Sequence, residues 1–475
     1  MRPVDDNLKE LLATLVSLAP DPIYLVGGPV RDLLIGIRDI KDIDLVMATG
    51  SEKVSRKFAD RINGSFFFLD EARCMTRVVV HSQGGHLQFD FANFEGADLH
   101  ADLKRRDFTM NAMALDLRRF LAQRNVDGLV DPFSGAKDIK QHLIRVTLPQ
   151  VLDEDPLRLL RAPRFAATLR FVIEQTTAAE IRARASRIIE PSAERVRDEL
   201  FLLLAERDAD KHLLLLDSLG LLGPLFPELE TLRNFAPGRY HVHDVLMHSI
   251  KTVGYCDRVI DDLEKISPEH GDAVATHLDE LLEQHIPRKA ALRFACLLHD
   301  NAKPDTLDQS NGRIRFHNHD LLGADKAARV CRRFKLSRDT EKAVTGLIRQ
   351  HMRLFNLATP GGPSKNALHR YCREMGDALP ESLVLAQADA RATAEIMPAE
   401  KFTDTEKPMA TALAYYYEKF LKVEAEPFVT GEDLIRIGME PGPAFRTILE
   451  DVRERQAAGL LIDRQAALDY IAQKR

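Results

Sequence analysis

Three features of the chain point to an α+β fold, with a small mixed α/β head followed by an all-helical remainder. Short β-branched and aromatic runs crowd roughly the first 150 residues. From about residue 151 onward, apolar residues recur at the three- and four-residue spacing of amphipathic helices. Gly and Pro punctuate the early segment at the points where one pattern gives way to the next.

The elements follow in order. IYLV (23–26) reads as a strand, and Gly27-Gly28 as the turn after it. PVRDLLIG then reads as a helix with Pro29 at its first position, where a missing N–H costs nothing. DIDLVMA, FFFLD, RVVVH and LQFDFANF are further strands, and they complete a head over residues 1–150. LLRAPRFAATLRF, AEIRARASRII, ERVRDELFLLLAE and KHLLLLDSLGLL fill 151–235 with helical pattern and no strand. Residues 236–400 stay helical and carry most of the histidines. Residues 401–475 hold TGEDLIRIGMEPGPAF, rich in turn formers, and then an amphipathic helix.

Hydrophobic residues make up 45% and charged residues 29%, as in ordinary soluble proteins. No run of about 18 apolar residues exists, so no transmembrane helix is expected, and no membrane partner is expected either. Acids precede the apolar stretch of MRPVDDNLKELLATLVSLAP, a poor fit to a signal peptide. Five scattered cysteines without a CxxC pair imply reduced thiols, a cytoplasmic location and no Cys-based zinc site. A net charge of −6 argues against a nucleic-acid partner, but it is unevenly spread. Residues 156–197 carry nine Arg against four Glu, whereas 201–300 carry ten basic residues against seventeen acids. Arg182, Arg184 and Arg187 are therefore candidate RNA-backbone contacts.

Asp42 and Asp44, in the strand KDIDLV, share one face because strand side chains alternate. Two adjacent carboxylates repel, and a divalent cation relieves them; Mg2+ pairs few carboxylates with phosphate oxygens. Asp90, in LQFDF, is the candidate third catalytic carboxylate. Gly27 and Gly28, ahead of a helix, offer backbone N–H groups to a phosphate, and Arg31 adds a charged donor. Together these outline a two-metal nucleotidyl-transfer site.

GGPVRDLLIG, DIDLV, DLKRRDFTMNAMA, DPFSGAKDI and EDPLRLLRAPRFAA, in this order, resemble the bacterial class II tRNA nucleotidyltransferase and poly(A) polymerase family. The resemblance is close over residues 20–230 and looser beyond. It implies a polymerase-β-type nucleotidyltransferase head followed by a helical neck and body, an HD domain and a tail. It also implies tRNA, CTP and ATP as partners, Mg2+ in the head, and addition of C and/or A to the tRNA 3′ end. CC-only addition, A-only addition and poly(A) synthesis share the same motifs. By the resemblance, Gly28, Arg31, Arg106 and Asp107 belong to nucleotide-contacting elements, and Asp42 and Asp44 hold the metal. Asp155, Arg158, Arg161 and Arg164 match the element that reads the base and holds the triphosphate. Asp155 and Arg158, spaced i, i+3, are expected on one helical face. A carboxylate there accepts from an exocyclic amine and an Arg donates beside it, a pairing that suits cytosine and adenine.

His248, His299-Asp300 and Asp389 resemble the HD phosphohydrolase superfamily, with His319 and His351 as the extra pair of its two-metal members. Imidazoles with carboxylates suit a transition metal, here Mn2+, Ni2+, Co2+ or Fe. HDNAKP stands where HDIGKP is commoner, so Asn301 and Ala302 alter the turn after the metal pair. This resemblance implies hydrolysis of phosphorylated RNA ends or nucleotides.

Overall fold

The computed structural model of the chain describes residues 6–37, 40–82, 85–123, 128–236, 244–310, 314–359, 361–395, 404–457 and 459–474. The chain forms two compact units, Met1–Pro191 with Leu219–Leu221, and Ser192–Ser218 with Leu222–Arg475.

The first unit is built on strands β1 (Ile23–Val26), β2 (Asp42–Met47), β3 (Ser65–Asp70), β4 (Met75–Ser82), β5 (Gly85–Asn93), β6 (Ala114–Asp116) and β7 (Leu129–Val130). They lie in the order β3-β4-β5-β2-β1-β6-β7. The β2–β5 pair is parallel and the others are antiparallel, so the sheet is mixed. Helices α1 (Asp6–Leu18), α2 (Gly28–Ile35), α3 (Ser51–Ile62), α4 (Leu99–Lys104), α5 (Leu117–Gln123) and α6 (Gly135–Lys140) accompany it. Helix α2 starts where the glycines and Pro29 predict, and Gly36, at φ 87°, ends it in the left-handed conformation.

Helices α7 (Val151–Glu154), α8 (Arg158–Leu169) and α9 (Gln175–Arg184) continue the unit. Here the structure corrects two expectations. Val172–Ile173 pairs in parallel with Leu143–Ile144, so the region after residue 150 does contain a strand, too short to show a period. Asp155 is extended (φ −141°, ψ 95°) between α7 and α8 rather than on a helix with Arg158. Pro156 explains this, because proline disfavours helical backbone in the residue before it.

In the second unit, helices Val245–Asp261, Arg288–Leu298 and Leu379–Ala394 pack together around buried apolar residues. Short antiparallel pairs at 281–283/286–287 and 307–308/315–316 interrupt the helical pattern. The buried Arg293 caps helix Ala193–Ala205, donating to the Leu204 and Ala205 carbonyls at 2.7 and 2.9 Å and to Asp257 at 2.9 Å. Arg293→Ala is expected to destabilise this unit by about 3–5 kcal/mol, measured by denaturant unfolding, because it breaks the buried pair with Asp257 Oδ1 and strands two carbonyls. A change below about 1 kcal/mol would contradict the capping role. Near the end of the chain, helices Gly431–Arg436, Pro443–Ala457 and Arg464–Gln473 enclose a small core of Val429, Leu434, Val452, Leu461, Ala467 and Ile471. Among the described residues no helix is long and apolar enough to cross a membrane, and none of the five cysteines is disulfide-bonded.

Candidate active site and candidate metal centre

The β2–β5 register sets Asp44 directly beside Asp90, and Asp42 beside Gln88. Asp42 is exposed and Asp44 half-buried. Burial pushes the Asp44 carboxyl up to about 6; Arg106 opposes this, and the neighbouring Asp90 and Asp42 add to it. Asp90, the candidate third carboxylate, already has a cationic partner. Arg77 on β4 grips both its oxygens, at 2.7 and 2.8 Å. Sequence reasoning missed Arg77, although the β4–β5 hairpin pairs it opposite Asp90.

Gly27 takes φ 73°, ψ −137°, a conformation that L side chains rarely adopt. A Cβ there would sit 3.1 Å from the Arg106 guanidinium and 3.2 Å from Asp44 Oδ2. The glycine thus leaves an open cradle between a carboxylate and a cation. That space, beside a carboxyl that burial raises despite Arg106, fits the Mg2+ and phosphate expected there.

This cradle opens into a cleft of about 610 Å³. Its walls include Gly27, Gly28, Arg31, Asp44 and Arg106 from the head motifs. Asp107, Asp155, Arg158, Arg161 and Arg164 complete the set that the family motifs name. Asp42 and Asp90 are not among the lining residues. Asp155 and Arg158 therefore reach one cleft without sharing a helix. Asp155 Oδ1 accepts from the Leu157 N–H at 3.3 Å, and Arg158 donates to the Val151 carbonyl at 2.9 Å.

Three further lining residues were not singled out from the sequence: Met75, Asn111 and Phe165. Guanidiniums of Arg164, Arg31 and Arg161 lie 3.6, 5.2 and 5.3 Å from the Phe165 ring centre. An aromatic ring attracts cations, which offsets the repulsion of gathering three in one place. Arg106 is anchored by the buried Asp102 at 3.2 Å. Asp107 accepts from Arg161 at 2.9 Å, from Asn111 at 3.0 Å and from the Phe108 N–H at 2.7 Å. Although burial opposes ionisation, Arg161 and these donors hold its carboxyl below the usual carboxylate range. DPFSGAKDI buttresses this segment. Asp131 caps α6 through the Gly135 and Ala136 N–H groups at 2.7 and 2.9 Å, and Asp138 accepts from Thr109 at 2.7 Å. A Cβ on Gly135 would fall 2.1 Å from the Thr109 carbonyl oxygen, so only glycine fits that approach.

The basic stretch is less free than its charge suggested. Asp153 accepts from Arg184 at 2.9 Å and from Arg187 at 2.7 Å, and Arg187 also pairs with Glu190 at 2.8 Å. Arg182 is exposed.

In the second unit the six HD residues converge. His248, His299 and Asp389 form one group of three; Asp300, His319 and His351 form another; within each group the ligand atoms lie within 4.8 Å of one another. All six side chains are buried. Three ring Nδ1 atoms are paired with carbonyls three residues upstream: His299 with Cys296 at 2.7 Å, His319 with Phe316 at 2.9 Å, and His351 with Ile348 at 2.6 Å. That pairing makes Nδ1 the donor and turns Nε2 inward, the atom that a metal-ligating imidazole offers once its proton is displaced. Asp300 links the groups, with its oxygens 3.2 Å from His299 Nε2 and 3.6 Å from His319 Nε2. His299 Nε2 and Asp300 Oδ1 are nevertheless buried without a hydrogen-bond partner. Orphaned buried polar atoms on residues of ligating type fit a bound cation. Burial disfavours a charged ring at His299, yet Asp300 and Asp389 raise it to about 10. Burial and the charge on His299 drive His351 down to about 4. Lys303, not anticipated, brings its ammonium 2.5 Å from Asp300 Oδ2.

The chain matches three family models: the poly A polymerase head domain over 23–145, the probable RNA and SrmB-binding site of polymerase A over 170–232, and the HD domain over 247–394. It is 32% identical over 460 residues to the A-adding tRNA nucleotidyltransferase of Deinococcus radiodurans, covering 95% of each chain. It is 29% identical over 471 residues to the CC-adding tRNA nucleotidyltransferase of Geobacter sulfurreducens, covering 98% of this chain and 95% of that one. Its fold is similar to a CCA-adding enzyme solved in an apo form, with TM-score 0.65, 22% identity and coverage of 98% and 93%. With end-to-end identity to such relatives, and with the family's motifs gathered on one cleft, the chain belongs to the tRNA nucleotidyltransferase and poly(A) polymerase family, in a form that carries an HD domain.

Proposed function

We propose that this chain adds C and/or A, from CTP and ATP, to the 3′ end of tRNA without a nucleic-acid template. The observation that carries this reading is the single cleft that Gly27, Gly28, Asp44 and Arg106 share with Asp155 and Arg158. The tRNA 3′-hydroxyl attacks the α-phosphate, a new P–O bond forms, and pyrophosphate leaves. Asp42 and Asp44 would hold Mg2+; when bound, it neutralises phosphate charge and favours ionisation of the hydroxyl. Arg31, Arg106, Arg161 and Arg164 orient the triphosphate. The Asp155 carboxylate accepts from the exocyclic amine of cytosine or adenine, while Arg158 donates to the adjacent ring nitrogen. No covalent intermediate is needed, so positioning and electrostatics supply the acceleration.

The test offers tRNA ending before, within and one residue short of CCA, with CTP and ATP separately and together. Incorporation of C or A is expected, and none on any substrate overturns the reading. A-only addition is the second reading, because the relative at 32% identity over 95% of both chains is an A-adding enzyme. It predicts extension of tRNA ending in CC by ATP alone and none with CTP. The orphaned His299 and Asp300 atoms favour an additional, metal-dependent phosphohydrolase activity in the HD domain. Release of phosphate from an RNA end or nucleotide, dependent on His299 and Asp300, tests it.

Arg182, Arg184 and Arg187 are proposed to contact the tRNA backbone. Binding is expected to weaken as salt rises and with Arg182→Ala, measured by filter binding. Affinity insensitive to both would reduce this stretch to a solvated helix face. Arg184→Ala and Arg187→Ala are less clean probes, since each also releases Asp153.

A further inference from the structure

The RRDFTMN segment supplies a residue whose role lies beyond the nucleotide-contacting Arg106 and Asp107. Asn111 is buried, and its carboxamide is used at both ends. Its Oδ1 accepts from Arg31 Nη1 at 3.0 Å, and its Nδ2 donates to Asp107 Oδ1 at 3.0 Å. The two bonds fix the amide orientation, because a guanidinium can only donate and an ionised carboxylate can only accept. At its two ends this bridge meets charged groups in opposite ways. Arg31 also donates through Nε to Asp32 at 2.9 Å, and its guanidinium lies 5.2 Å from the Phe165 ring centre. Asp107 in turn accepts from Arg161 of α8 at 2.9 Å. A continuous polar chain thus runs Asp32–Arg31–Asn111–Asp107–Arg161, from the first helix after the glycine turn to the helix that also carries Arg158 and Arg164.

We infer that Asn111 is a positioning residue for the nucleotidyl-transfer reaction: its carboxamide holds the Arg31 guanidinium toward the nucleotide cleft and ties it to Arg161 through Asp107. This rests on the reading that the cleft binds CTP or ATP. Asn111 lines the cleft, but its hydrogen-bonding atoms are taken by Arg31 and Asp107, so it acts through them. Neither Ala nor Asp reproduces it. Ala supplies no bond. An ionised Asp keeps the acceptor toward Arg31 but turns a donor toward Asp107 into a repelling carboxylate.

The test is a double-mutant cycle on the full chain, with Asn111→Ala and Arg31→Ala alone and together. It reads KM for CTP and ATP, kcat, and binding of a non-hydrolysable nucleotide analogue. Asn111→Ala is expected to raise KM and the analogue Kd about tenfold, the scale of a hydrogen bond to a charged group, with a smaller change in kcat. In the Arg31→Ala background it is expected to add little, because the group it orients is gone. Additive effects, or an unchanged KM in Asn111→Ala, overturn the inference. Asn111→Asp serves where Asn111→Ala does not fold: it is expected to raise KM as well, and wild-type KM in this variant also overturns the relay to Asp107. A wild-type chain that neither incorporates nucleotide nor binds the analogue refutes the reading of the cleft instead, so the two failures are distinguishable.

Discussion

Asp44→Ala is expected to abolish nucleotide incorporation, by about a thousandfold or more, while leaving the protein as stable as the wild type or slightly more so. The first half follows from chemistry. Asp44 is the carboxylate that faces the cradle left open by Gly27, and a cation held there stabilises charge that develops only as pyrophosphate leaves. The second half follows from linkage. The folded-state carboxyl is raised from 3.8 to about 6, chiefly by burial. A raised acid binds its proton more tightly in the folded than in the unfolded state. Stability contributed by this group therefore falls as pH rises from about 4 to about 6, and above that ionised Asp44 opposes folding. Removing it at pH 7–8 lifts that opposition. Single-turnover incorporation of labelled CTP and ATP, beside thermal melting, reads both halves. Normal addition by Asp44→Ala would sink the metal assignment. Asp90→Ala should behave differently: it strands Arg77, which grips both Asp90 oxygens, so some loss of stability accompanies its loss of activity.

The contrast between Asp44 and Asp90 shows what the sequence could carry. Strand alternation placed Asp42 and Asp44 on one face, and glycine and proline chemistry placed the turn and helix before them, because these are local rules. The partner of Asp90 is thirteen residues away on the neighbouring strand, and only the hairpin register reveals it. Asp155 marks a different boundary. The helical pattern of EDPLRLLRAPRF is real from Arg158 onward, but Pro156 breaks the segment before it, and the i, i+3 argument extended the helix across that break. Both residues still line the cleft, because convergence on a site does not require a shared helix. Net charge was legible for the arginine-rich stretch, but not its use: Asp153, about thirty residues upstream, holds Arg184 and Arg187. Asn111 and Lys303 lie inside RRDFTMN and HDNAKP, but a single Asn or Lys has no period and only its partners give it a role.

Removing divalent metal is expected to lower the melting temperature of the HD-bearing unit by about 5 °C or more, and readdition of Mn2+, Ni2+ or Co2+ to restore it. Asp300 is fully buried, its Oδ1 has no hydrogen-bond partner while its Oδ2 is ion-paired with Lys303, and it lies beside His299, whose Nε2 is likewise orphaned. Each such group costs about 1–3 kcal/mol when left unsatisfied. A cation that binds only the folded state contributes about 2.7 kcal/mol more when present at a hundredfold above its Kd. Lys303 does not substitute for it. Its ammonium approaches one Asp300 oxygen but brings no charge to the Nε2 atoms of His299, His319 and His351, which the upstream carbonyls hold inward. Asp300→Asn removes the charge that links the two ligand groups and is expected to cut the bound metal, measured by elemental analysis of the purified protein. The same variant should lose most of the metal-dependent rise in melting temperature. In the altered turn Asn301 and Ala302 are buried, and Asn301 donates to the Gly323 carbonyl at 3.3 Å. A wild-type protein that takes up none of these metals, and melts identically with and without chelator, would make the six-residue cluster a polar core. The orphaned atoms of Asp300 and His299 would then stand as an uncompensated cost in the heart of the unit.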